Sequence, residues 1–111
     1  MINTSLRKKW QKMDILSQLA NIGSEVSRLI YWRKSANKEE CEAAFWRVLD
    51  LLDLSIDCVA GIKKAGEILR LREVLCDYFL QTKLYRIRSQ TLQAYFLPFA
   101  LTVRKKYDSN H

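Results

Sequence analysis

Residues 5–34 read SLRKKWQKMDILSQLANIGSEVSRLIYWRK, and the spacing inside this stretch decides the fold class. Leu6, Trp10, Met13, Leu16, Leu19, Ile22, Val26 and Leu29 follow one another in steps of three and four. Such steps trace one face of a helix, whereas a half-buried strand would alternate at every second residue. The spacing predicts one helix over 5–34, roughly 45 Å long at about 1.5 Å per residue. Gly23 sits in the stripe between Ala20 and Ser27. A glycine costs about 1 kcal/mol against alanine in a helix interior, so its position predicts close approach by a neighbouring helix.

The same period continues down the chain. Asn37 reads as a helix N-cap, with Glu40 placed to complete a capping-box-like pair. Glu39, Glu40 and Glu42 crowd the first turn, where carboxylates suit the positive end of the helix dipole. This second helix lines up Cys41, Phe45, Val48, Leu52 and Val59, with Leu49 and Ile56 widening the stripe. Its end is expected near Ala60, with Gly61 as a left-handed cap. A third helix over 62–81 would bury Ile68, Leu71, Leu75, Tyr78 and Phe79, with Gly66 weakening its first turn. Lys83–Arg88 (KLYRIR) reads as a basic connector. A fourth helix opens at Ser89 or Gln90 and carries Leu92, Tyr95, Phe96, Phe99, Val103 and Tyr107. Pro98 lies inside it and removes a hydrogen bond to the Ala94 carbonyl, so a kink is expected there. Four amphipathic helices with short connections predict an all-α protein, an antiparallel up-down-up-down four-helix bundle forming a single domain over 1–111.

Composition agrees with this. Of 111 residues 49% are hydrophobic, enough for a core, while three glycines and one proline are too few for a turn-rich β-sandwich or barrel. A chain of this length folds alone but gains from oligomerisation. Cys41, Cys58 and Cys76 are odd in number and form no C-x-x-C pair, and residues 1–12 are too polar for a signal peptide. The expectation is a reducing cytoplasm with three buried thiols. The longest uncharged run, 89–103, is too short and too polar to span a bilayer core of about 30 Å, so no membrane is expected.

The net charge is +7, unevenly placed. Residues 1–12, 58–88 and 89–111 are net basic, while 13–57 are net acidic. In an up-down-up-down bundle the start of the first helix, the turn between the second and third, and the end of the fourth share one pole. Arg7, Lys8, Lys9, Lys12, Lys63, Lys64, Arg104, Lys105 and Lys106 would gather there. Such a cluster neutralises phosphates and releases counterions, which makes RNA or an RNA–DNA hybrid the expected partner. A second patch of cations and aromatics, comprising Trp32, Arg33, Lys34, Lys83, Tyr85, Arg86 and Arg88, with Tyr31 beside it, has the composition of a base-stacking platform. The same residues also serve as an ordinary solvated basic surface, with Trp32 and Tyr85 in a core or an interface.

Other chemistries find less support. Asp50, Asp53 and Asp57 follow one helical face that Glu39, Glu42 and Trp46 extend, but no histidine accompanies them and the Glu-x-x-His pattern of di-iron bundles is absent. Pairing with Arg70 and Arg72 on the next helix is the simpler expectation. No metal and no cofactor is expected. Cys76 has no interior histidine to activate it. Arg104 and His111 stand in the R-x6-H spacing, within the R-x4–6-H signature of the HEPN ribonucleases, which makes a HEPN-like ribonuclease or toxin–antitoxin component the alternative. His111 is the last residue, a poor position for a group that catalysis must hold still. A purely structural oligomeric scaffold is the third reading.

Three features carry a resemblance to a known group: the long first helix with Ile22-Gly23-Ser24-Glu25, the core Phe45-Trp46-Arg47-Val48-Leu49, and the basic tail Arg104-Lys105-Lys106. In these the chain resembles the small four-helix bundles related to the 23S rRNA intervening-sequence protein, which include the accessory variability proteins of diversity-generating retroelements. That resemblance implies a homo-oligomer, commonly a pentamer. It further implies a non-enzymatic accessory subunit that binds nucleic acid and a partner reverse transcriptase through basic surfaces.

Overall fold

The computed structural model of the chain describes residues 4–59, 61–81 and 87–109. Among them it is all helical: α1 (Thr4–Gln11), α2 (Ile15–Lys34), α3 (Lys38–Cys58), α4 (Ile62–Leu80) and α5 (Ser89–Ser109). The α2 helix lies between α3 and α5, and α3 in turn carries α4 and α1. Ile22, Val26, Leu29 and Ile30 of α2 close against Ala44, Val48 and Leu52 of α3, with Leu75 from α4 completing a fully enclosed centre. Phe45 and Phe79 stack at 4.0 Å and tie α3 to α4. Glu25 bonds Arg28 in its own helix and Arg47 across on α3, adding an ion pair at the edge of the α2–α3 contact.

The single helix expected over 5–34 is two helices, and the break has a physical cause. Asp14 leaves the helical conformation and caps α2, its carboxylate accepting from the Ser17 N–H at 2.8 Å. The chain before it tightens into short-range bonds, Lys12 N–H to Lys9 and Met13 N–H to Trp10. Trp10, only 4% exposed, then swings under α3, where its Nε1 donates to the buried Ser55 Oγ at 3.0 Å. Gln18 bridges the corner, its Nε2 donating to the Trp10 carbonyl at 3.0 Å and the Met13 carbonyl at 3.3 Å. The Trp10 carbonyl thereby accepts a second bond beside the one from the Met13 N–H, and the Met13 carbonyl gains a side-chain donor. Trp10 is the one buried residue of α1, so this side chain anchors an otherwise polar helix.

The other boundaries follow local chemistry. Asn37 caps α3 by accepting from the Glu40 N–H at 3.2 Å. The reciprocal half of a capping box is not made, because the Asn37 N–H donates instead to the Trp32 carbonyl. The α3 helix stops at Cys58 with Val59 extended, and Gly61, at φ 97°, stands as the N-cap of α4 rather than as a left-handed end to α3. Ala60 lies outside the described residues. The expected close approach occurs at Gly23, where a Cβ would lie 2.8 Å from the Phe96 Cβ, so α2 and α5 meet there only because the side chain is absent. The α5 helix runs from Ser89 to Ser109 through Pro98, and the Thr102 hydroxyl donates to the Pro98 carbonyl at 2.8 Å.

Candidate nucleic-acid interface

Four helix ends meet at one end of the molecule, the starts of α2 and α4 and the ends of α3 and α5. Gln11, Met13, Ile15, Gln18, Cys58, Val59 and Lys64 line one cavity of about 170 Å³. The approach to α2, the exit from α3 and the entry to α4 are therefore neighbours. Lys106 Nζ, from the last turn of α5, lies 3.7 Å from Asp14 at the start of α2. Arg7 of α1 lies 3.6 Å from Asp57 at the end of α3. The cations of 7–12, 63–64 and 104–106, far apart in sequence, share this end.

Their exposure is a consequence of how each stretch is held. Trp10 commits one side of α1 to α3, which turns Arg7, Lys8, Lys9 and Lys12 to solvent. Lys63 and Lys64 fall in the first turn of α4, before Ile68 begins its buried stripe. Arg104, Lys105 and Lys106 extend past Val103, the last half-buried position of α5, and are exposed. Arg7 pairs with Asp57 and Lys106 with Asp14, through exposed pairs worth a fraction of a kcal/mol each. The hydrogen bonds from Ser17 hold the Asp14 carboxyl below its ordinary pKa, with Lys106 adding a smaller push in the same direction.

The second patch divides. Lys34 and Arg88 are exposed, whereas Lys83, Tyr85 and Arg86 lie outside the described residues. Trp32 is half-buried against the core, edge-on to the exposed Tyr31 at 4.9 Å. Arg33 is turned inward. Its Nη1 donates to the carbonyls of Tyr78 and Phe79 at the end of α4, and its guanidinium lies 4.6 Å from the Tyr78 ring. It supplies partners to carbonyls that the helix end leaves open, the role a C-terminal cation fills well. Burial raises the Tyr78 hydroxyl pKa, and the Arg33 charge works against that rise.

On the acidic side Asp53 pairs with Arg72 at 3.1 Å, as the helical spacing implied, and Asp57 with Arg7 rather than with the next helix. Among the described residues no three cysteine, histidine, aspartate or glutamate side chains converge in a way that could hold a metal. Of the three thiols Cys41 is buried while Cys58 and Cys76 are half-buried, which corrects the expectation of three buried ones. Burial raises the pKa of Cys41 and Cys76, so neither is poised as a thiolate. Arg104 is exposed on α5, and His111, its R-x6-H partner, lies outside the described residues. No described helix is long and apolar enough to cross a membrane. No family model, no curated protein and no solved structure matches the chain.

Proposed function

We propose that this chain is a non-enzymatic RNA-binding accessory protein, an oligomer whose basic end holds a phosphate backbone. The observation that carries the reading is the meeting of three sequence-distant groups of exposed cations at one end, where Lys64 lines a cavity shared with the start of α2 and two cross-helix ion pairs tie Arg7 to α3 and Lys106 to α2. Lys8, Lys9, Lys12, Lys63, Lys64 and Arg104–Lys106 supply the phosphate contacts. In this reading the bundle runs up-down-up-down, α1 and α2 together forming its first leg and α5 bending at Pro98. The chain works in the cytoplasm. The resemblance to retroelement accessory proteins adds a reverse transcriptase as the protein partner. A genomic neighbourhood holding a reverse transcriptase gene with template and variable repeats supports that partner, and one without them removes it.

Binding of a labelled single-stranded RNA, followed by fluorescence anisotropy across a salt series, tests the core of the reading. If six or more phosphates are neutralised, affinity falls roughly 300-fold or more between about 50 and 200 mM salt. A flat response across that range overturns the electrostatic mechanism.

A further inference from the structure

Of the three groups of cations at the basic end, one sits on an element that the fold holds lightly. Lys63 and Lys64 belong to α4, 19 residues long, and Arg104–Lys106 to α5, 21 residues long. Each of these helices buries apolar side chains of its own in the bundle. Arg7, Lys8 and Lys9 belong to α1, which has eight residues, with Lys12 in the turn behind it. A helix shorter than about 12–15 residues does not hold itself in water, so α1 is helical because it is docked. Its docking rests on Trp10, the one buried residue, whose ring bonds Ser55 and whose carbonyl bonds Gln18. The exposed Arg7–Asp57 pair adds little to that. Leu6, the other large apolar side chain of α1, is 37% exposed. Beneath the turn, the cavity bordered by Met13, Cys58 and Val59 leaves the hinge loosely packed.

Charge works against the docked position. Residues 4–12 carry four cations and no carboxylate. Docked, they stand at the same end as Lys63, Lys64 and Arg104–Lys106, and Asp14, Asp57 and Asp108 offset only part of that charge. Exposed like charges repel over a Debye length of about 10 Å at 0.1 M salt. A phosphate backbone lying across this end reverses the sign, because each phosphate attracts cations of α1 and of its neighbours at once. A ligand that binds the docked arrangement better than the released one shifts the balance toward docking. The hinge permits the movement, since Asp14 caps α2 through Ser17 and does so without help from α1.

We infer that α1 is a strap that RNA closes. In the free protein it leaves α3 for part of the time, and it docks through Trp10 when phosphates bridge its cations to those of α4 and α5. The inference rests on the RNA-binding reading above and adds how that surface is completed. Of the three groups of cations, only that of α1 moves, because the other two are built into long helices with core contacts.

Hydrogen–deuterium exchange of the full chain, with and without saturating single-stranded RNA, tests the strap, and fluorescence anisotropy under the same conditions reports whether the RNA is bound. The amides of 8–13 are the ones to read, since the helix and its turn bond them. In the free protein at low salt they are expected to exchange roughly 100-fold faster than those of 22–30 in α2. Saturating RNA is expected to slow them about 10-fold or more. Lys8→Gln/Lys9→Gln removes two charges at nearly equal helix propensity, and without RNA it should slow the same amides about threefold. That readout separates closure of the strap from RNA simply covering it. Exchange of 8–13 as slow as that of 22–30 in the free protein overturns the strap, as does a glutamine variant that exchanges no more slowly than wild type. Bound RNA that leaves 8–13 unchanged overturns it too, and the RNA-binding reading survives all three results. RNA that does not bind at any salt concentration overturns both.

Discussion

At one end of the molecule Arg33 folds back onto the carbonyls of Tyr78 and Phe79, while at the other Lys8, Lys9, Lys12, Lys63 and Lys64 project into water. Both ends are rich in positive charge, but the charge does different things. The Arg33 guanidinium completes a helix terminus and lies against an aromatic ring, so it joins α2 to α4. The lysines of the opposite end have no comparable structural task and remain available to a partner. A count of cations cannot make that distinction, because it depends on where the carbonyls of another helix happen to finish.

The largest effect on stability is expected at Arg33. Arg33→Ala removes charged hydrogen bonds to two carbonyls and the contact with Tyr78, and loses about 2 kcal/mol in urea unfolding. RNA affinity should hardly move. A loss of affinity with stability unchanged would instead make Arg33 one of the cations that contact the phosphates. Next comes Asp14→Ala, which removes the α2 cap at a cost of about 1 kcal/mol near neutral pH. The sign of its pH dependence is set by a carboxyl whose pKa is lower folded than unfolded. Its contribution is present above the unfolded value and disappears as pH falls through the folded one. The gap between wild type and Asp14→Ala should therefore close in acid, and a gap that stays constant with pH would mean the charged carboxylate is not what caps the helix.

A smaller gain is expected at Ala36, which leaves α2 at φ 57°, a left-handed conformation that a Cβ opposes. Ala36→Gly relieves the strain, at the cost of a more flexible unfolded chain, for a net gain of about 0.5 kcal/mol in the same unfolding assay. Smallest of all, Lys8→Ala and Lys9→Ala should each change stability by less than about 0.5 kcal/mol, as exposed positions without structural partners do. A larger loss at either lysine would show that the basic end also supports the fold.

Much of this was legible in the sequence because it is local. The stripe through Ile22, Val26 and Leu29, the cap at Asn37 and the small side chain at Gly23 each act on near neighbours or leave a periodic trace. The break before α2 was masked by that same period, since Trp10, Met13 and Leu16 keep helical spacing across it. The signal that could have found it was Asp14 directly ahead of Ile15 and Leu16, a capping residue before an apolar run. Arg33 left no such signal. Its partners are 45 and 46 residues away, and only the assembled helices bring them within reach. For the basic end, the cations themselves were legible, but their outward aim depends on the Trp10–Ser55 bond that lays α1 on α3.

If the proposed RNA binding depends on where the cations sit rather than on bulk charge, two variants of equal net charge must differ. One replaces Lys8, Lys9 and Lys63 by alanine at the basic end, and the other replaces Lys34, Lys38 and Arg88, exposed elsewhere. The measurement is the slope of log affinity for single-stranded RNA against log salt concentration. The first variant is expected to lose about 2 units of slope, three phosphate contacts on a single strand, while the second keeps the wild-type value. Equal slopes in the two variants would contradict that dependence on position.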